Sequence, residues 1–209
     1  MQHDNYKKKI DLIIQEIIDL RRHIHAHPEL SGMEHQTAIL VAGYLKKMGW
    51  HVSESIGRTG VVAEFGPKKN GFIGLRVDMD ALPIDENTDL NYSSKIDGIM
   101  HACGHDIHTC IGLGVAHLIK DMKLQYGTRL IFQPAEEIAS GARWMIEDGV
   151  TKDLIKIVGV HVFPDLLVGK IGIKEGSLTA AAGELSIEIR GKTGHGARPH
   201  EGVDAIWTA

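Results

Sequence analysis

The sequence predicts an α/β fold, a mostly parallel sheet flanked by helices on both faces, followed by the start of a second, smaller domain. Three observations lead there. Two helix-periodic segments open the chain, β-rich runs then alternate with helix-periodic ones as far as Val162, and from Gly183 the apolar residues alternate strictly with polar ones. At 209 residues, with 43% hydrophobic and 24% charged side chains, the chain has the balance of a packed globular protein. Its 23 basic and 27 acidic residues are intermixed. No block of charge exists to track a phosphate backbone or an anionic bilayer, so neither nucleic acid nor membrane is expected as a partner. No apolar run approaches the roughly 20 residues of a membrane span, and Met1 to Lys9 is polar, so the expected location is the cytoplasm.

The elements follow in order. Ile10, Ile13, Ile14, Ile17 and Ile18 form one apolar stripe, which predicts a helix from Tyr6 to His25 that ends before Pro28. Ser31 and Glu34 have capping-box spacing, and Ala38, Val41, Leu45 and Met48 then share a helix face that Gly49 closes. Strands are expected at His51 to Ile56, Val61 to Phe65 and Phe72 to Val77, then a helix from Ile107 to Met122 and a strand from Arg129 to Phe132. A helix from Gly141 to Asp148 and an apolar strand from Ile157 to Val162 complete the alternation. Beyond Gly183, Leu185, Ile187 and Ile189 predict a half-exposed antiparallel strand. Domains are therefore placed at residues 1–182 and 183–209.

Ligands of such sheets collect outside the carboxyl ends of the strands, where the chemistry-bearing residues fall. His101 to His108 sets Cys103, three imidazoles and Asp106 around a glycine turn, a mixture that suits zinc and related metals; a buried thiol beside surface histidines is the structural alternative. After the next strand comes Gln133-Pro134-Ala135-Glu136-Glu137. Adjacent side chains diverge, so one carboxylate can hold a metal while its neighbour faces a reacting water; alone, the pair would read as a solvated acidic turn. His161 ends the last strand, where a lone histidine is more often structural. Asp78 and Asp80 share one face of an extended segment, suited either to orienting ligands or to a turn before Pro83. His195 sits in a glycine-rich loop from Gly191 to His200 that could hold an imidazole over a substrate. Cys103 and Cys110 are expected as free thiols.

Taken together, Arg21-Arg22-His23, His27-Pro28-Glu29-Leu30, Asp78-Met79-Asp80-Ala81-Leu82-Pro83, His101 to Asp106, Pro134 to Glu137, Gly159-Val160-His161 and Gly194-His195 resemble a known family. It is the aminoacylase, hippurate hydrolase and auxin-conjugate hydrolase branch of the two-metal peptidase and amidohydrolase superfamily. The resemblance implies a zinc-peptidase-like catalytic domain, with residues 183–209 opening an α+β lid or dimerisation domain. It further implies two divalent metal ions, zinc or else manganese, cobalt or nickel, held by Cys103, His105, Glu137 and His161, with Cys103 bridging. Glu136 would be the general base, Asp80 would support the site from behind, and His195 would contact substrate and help stabilise the oxyanion. His23, His25 and His27 match a segment without metal ligands. The implied substrate is a small N-acyl amino acid, and full-length members are expected to be homo-oligomers through the lid domain. A last histidine ligand and the C-terminal half of the fold are expected beyond residue 209, so the implied activity belongs to the longer protein. Two other readings use the same residues: a hydrolase with Cys103 as nucleophile, in which the paired glutamates have no role, and a non-catalytic metal-binding remnant.

Overall fold

A computed structural model describes residues 2–178 and 185–209, and the side chains from residue 6 onwards. The chain divides into two compact units, Met1–Gly172 and Ile173–Ala209.

In the first unit, α1 (Gln2–Ala26) and α2 (His35–Lys47) precede β1 (His51–Ile56), β2 (Gly60–Phe65) and β3 (Phe72–Asp78). Then come α3 (His105–Ile119), β4 (Gly127–Gln133), α4 (Gly141–Glu147) and β5 (Leu154–Gly159). The five strands form one sheet in the order β1-β2-β4-β3-β5. Strand β3 runs parallel to both neighbours, whereas β1 and β2, and β2 and β4, pair antiparallel. The α/β class is as expected, but the sheet is mixed. The short turn at Gly57-Arg58-Thr59 folds β1 and β2 into a hairpin, and a hairpin forces antiparallel pairing where a helical crossover would have given parallel.

Helices cover both faces. Alternation along each strand sends Val61, Leu130, Phe132 and Val77 to one side, where they meet Val41, Leu45, Trp50 and Leu113 from the α2 and α3 side. Val62 and Ile131 face the other side, against Met145 of α4 and Val150. The stripe on α1 is less buried than its periodicity predicts: Ile17 packs on the core, but Ile10 and Ile14 are exposed. They border an open apolar groove whose far wall is Ile107, Ile111 and Leu118 of α3. The apolar strand expected from Ile157 to Val162 forms three residues earlier, as β5; it is an edge among the described residues, and Ile155, Ile157 and Val158 are exposed.

The capping box is also replaced. Glu29 takes the Gln36 and Thr37 amides at the start of α2, so Ser31 and Glu34 are free for other partners.

The second unit holds an isolated bridge between Lys192 and Val203 and a terminal turn of helix, α5 (Ala205–Thr208), capped by Asp204. The strand expected from Gly183 begins outside the described residues, and 185–190 form no ladder. Alternation alone makes no strand until its backbone pairs with a neighbouring one. No helix among the described residues is long and apolar enough to cross a membrane.

Candidate metal centre

The carboxyl ends of β3, β4 and β5 lie on one side of the sheet, because these three strands are parallel. Asp78 ends β3, and the chain runs on to Asp80; Gln133 ends β4, and the chain turns through Pro134 to Glu137; β5 ends at Gly159, two residues before His161. The loop before α3 supplies Cys103, and His105 is the first residue of that helix, entered through Gly104 at φ +84. A left-handed φ there is one that glycine adopts without strain.

These side chains converge. Cys103 Sγ lies 3.5 Å from His161 Nε2, and His105 Nε2 lies 3.7 Å from Glu137 Oε1 and 3.9 Å from Glu136 Oε2. Cys103, His105 and His161 form one group of candidate ligand atoms within 4.8 Å of one another; His105, Glu136 and Glu137 form a second, and Asp78, His105 and His108 a third. His105 belongs to all three.

Several of these groups are held from behind. Asp80 accepts the Nδ1 proton of His105 on its carbonyl oxygen at 2.9 Å and faces it with a carboxylate oxygen at 3.2 Å, which fixes the tautomer and turns Nε2 towards the other ligand atoms. The other carboxylate oxygen of Asp80 accepts from Ser31 Oγ and from the Glu137 amide. His108 Nδ1 donates to Asp78 at 2.6 Å, while its Nε2 accepts from the Val162 amide, next to His161. From the sequence Ser31 reads as a helix cap and His108 as one imidazole of the 101–108 segment without a role of its own, although His105 and His108 are three apart on one helix face, a visible signal. His25 pairs with Asp106 and Glu86 and takes no part in the cluster. His195 lies in the second unit, exposed, with its Nδ1 accepting from the Ala197 amide.

Ala135 has φ +49, a left-handed conformation that costs a non-glycine residue about 1–2 kcal/mol. This sharp turn sets the directions of Glu136 and Glu137.

The electrostatics are those of an anionic pocket. Burial, reinforced by Glu137, Glu136 and Asp78, pushes the Cys103 thiol up to about 12. Burial also raises Glu137, with Glu136 and Asp80 adding to the effect against the opposing pull of His105. Burial works against protonation of His105, yet its bond to Asp80 and the charges of Asp78, Asp80 and Glu137 outweigh that and raise it. Burial likewise opposes ionisation of Asp80, but His105, Ser31 and the Glu137 amide hold it low.

The residues fit a metal. His105 Nε2 and Glu137 Oε1 are both buried without a hydrogen-bond partner. An orphan of this kind costs about 1–3 kcal/mol, and these two face each other across a gap too long for a hydrogen bond yet short enough for one cation to serve both. A divalent cation would also relieve the repulsion that adds to burial in keeping the thiol protonated, and thiolate, imidazole and carboxylate together suit zinc and its neighbours.

An α/β sheet that gathers sulfur, imidazole and carboxylate near its strand ends, with orphaned atoms facing one another, defines a candidate metal centre. The chain belongs to peptidase family M20/M25/M40, whose model matches residues 74–208. It is 52% identical over 207 residues to the probable hydrolase sll0100 of Synechocystis, covering 97% of this chain and 53% of that protein. It is 42% identical over 209 residues to an N-acetyl-L-cysteine deacetylase of Bacillus subtilis, covering 99% of this chain and 50% of the relative. Among solved structures, the YXEP protein of Bacillus subtilis, described as a dinuclear metal binding peptidase from the M20 family, superposes with a TM-score of 0.76. That match has 44% identity and covers 79% of this chain and 48% of the other. The chain thus spans about half the length of the curated relatives it matches.

Proposed function

We propose that this chain is the metal-binding N-terminal part of an amidohydrolase that removes the acyl group from N-acyl amino acids. The single observation that carries the reading is that His105 joins two groups of candidate ligand atoms, one with Cys103 and His161 and one with Glu136 and Glu137, while its Nε2 and Glu137 Oε1 are buried without a hydrogen-bond partner. The deacetylase activity in the name of the Bacillus subtilis relative supports the substrate class.

In this reading Cys103, His105, Glu137 and His161 hold two divalent ions, zinc or else manganese, cobalt or nickel. Bound there, such ions supply Lewis acidity, bringing the pKa of water towards about 7 and polarising an amide carbonyl. Glu136, more exposed than Glu137, is the general base: it takes the proton of the attacking water and returns it to the departing amine. Asp80 keeps His105 in the tautomer that presents Nε2. His195 contacts substrate and helps stabilise the oxyanion from the smaller lid domain, which residues 183–209 open after a catalytic part spanning 1–182. Homo-oligomerisation through that lid completes the proposal. A thiol pushed up to about 12 is a poor nucleophile, which counts against Cys103 attacking substrate itself.

Two measurements test this. The chain equilibrated with zinc and desalted is expected to retain metal by elemental analysis, and Cys103→Ser and His161→Ala to retain less. A chimera in which the C-terminal half of the Synechocystis relative follows residue 209 is expected to release free amino acid from N-acetyl amino acids, and to lose that activity on chelation or as Glu136→Gln. Metal retention at background in the wild type, or chimera activity that survives both chelation and Glu136→Gln, overturns the proposal.

A further inference from the structure

Glu34 is fully buried, and no cation lies within ion-pair distance of it among the described residues. Its carboxylate is nonetheless fully engaged. One oxygen accepts the amides of Gly32 and Ala135, each at 2.8 Å, and the other accepts the hydroxyl of Thr59. The amide of Ala135 lies 101 positions away in sequence and belongs to the left-handed residue that aims the acidic pair. Two residues on, the amide of Glu137 is taken by Asp80, itself held by Ser31 from the same loop as Glu34. The loop is stitched to the end of β3 through the Ala81 amide and the Glu29 carbonyl at 2.8 Å. On its far side, the carbonyl of Ala135 accepts from Ser140 and Gly141.

From this arrangement we propose that Glu34 is a positioning residue for the catalytic turn. With Asp80 it forms a pair of carboxylates that grip two amides of one tight turn, and this grip holds Ala135 in the left-handed conformation from which Glu137 reaches His105 and Glu136 faces the same space. The consequence for Glu136 and Glu137 rests on the function proposed above, whereas the grip itself does not.

Hydrogen-bond chemistry supplies the test. Glutamine at 34 keeps an oxygen for both amides, and its NH2 can donate to Thr59 Oγ1 once that hydroxyl turns away, so the grip survives loss of charge. Alanine loses all three bonds. Amide hydrogen exchange of the metal-free chain, read on peptides spanning 133–141, is expected to rise at least tenfold in Glu34→Ala and to stay within about threefold of wild type in Glu34→Gln, a tenfold change corresponding to about 1.4 kcal/mol. Thr59→Val, which leaves the two amide bonds intact, should fall between them. Protection of α2 and β4 in the same spectra shows whether a variant is folded. Cobalt(II) affinity, followed through the thiolate absorption of Cys103, should weaken about tenfold in Glu34→Ala and recover in Glu34→Gln. Unchanged exchange in Glu34→Ala, or Glu34→Gln behaving like alanine, overturns the proposal. If Glu34→Ala is unfolded, Thr59→Val and Glu34→Gln decide it by the same exchange readout. Should wild type fail to bind cobalt, the hydrolase reading falls while exchange continues to decide the role of Glu34.

Discussion

Gly141→Ala is the substitution whose effect the structure fixes most tightly. A Cβ at this position would stand 1.6 Å from the carbonyl oxygen of Pro134 and 2.6 Å from its carbon. Real Cβ contacts essentially stop at 3.0 Å, so backbone must retreat by about 1.4 Å, the difference between 3.0 and 1.6 Å. Both sides of the clash are main chain, so no rotamer change relieves it. The retreat opens the turn that carries Glu136 and Glu137, breaking the bonds from the Ser140 and Gly141 amides to Ala135. At about 0.5–1.5 kcal/mol each, with the strain remaining after relaxation, the expected loss is about 2–4 kcal/mol. Urea denaturation followed by circular dichroism would show the lowered midpoint with an unchanged slope. Zinc retention should fall in parallel, since a movement above 1 Å separates Glu137 from His105. A variant with wild-type midpoint and wild-type zinc retention would refute the idea that this turn is sterically locked.

Further outcomes follow from the same geometry. Leu45→Ala, at a fully buried position of the main core, should cost about 2–5 kcal/mol in the same denaturation experiment with little effect on zinc retention. The bond from His25 to Asp106, helped by Glu86, raises His25 against burial, while Asp106 is held low by His25, His101 and Arg21 despite its burial. A raised histidine stabilises fully below its unfolded value of 6.5 and loses that contribution as pH rises through its folded value. A lowered aspartate stabilises above 3.8 and loses it as pH falls below that. The stability difference between wild type and His25→Gln should therefore be largest between about pH 4 and 6.5 and shrink as pH rises through the raised folded value of His25; a difference that grows with pH in urea melts would contradict the assignment. The exposed apolar edge strand β5 is a template for pairing with a second chain. Sedimentation should show concentration-dependent association that Ile157→Lys reduces, and equal association in both would point elsewhere.

Sequence by itself determined most elements of the first unit and the identity of the chemical groups. Helical periodicity placed α2, and β-rich runs placed the first three strands, because both are local consequences of which side chains must leave water. The strand ends then pointed to Cys103, His105, Glu136, Glu137 and His161, which the folded chain brings within reach of one another. Pairing was not legible: a turn at Gly57 to Thr59 fixes an antiparallel hairpin, and the apolar β5 stands at the edge of the sheet among the described residues. Nor were the partners of charged side chains. Ser31 and Glu34 have the spacing of a capping box, and only the tertiary structure shows Glu29 capping that helix while Ser31 and Glu34 secure a turn a hundred residues away. Local spacing fixes where a side chain starts, but hydrogen bonds form with whatever folding brings near, and a buried carboxylate must find its donors wherever the chain supplies them.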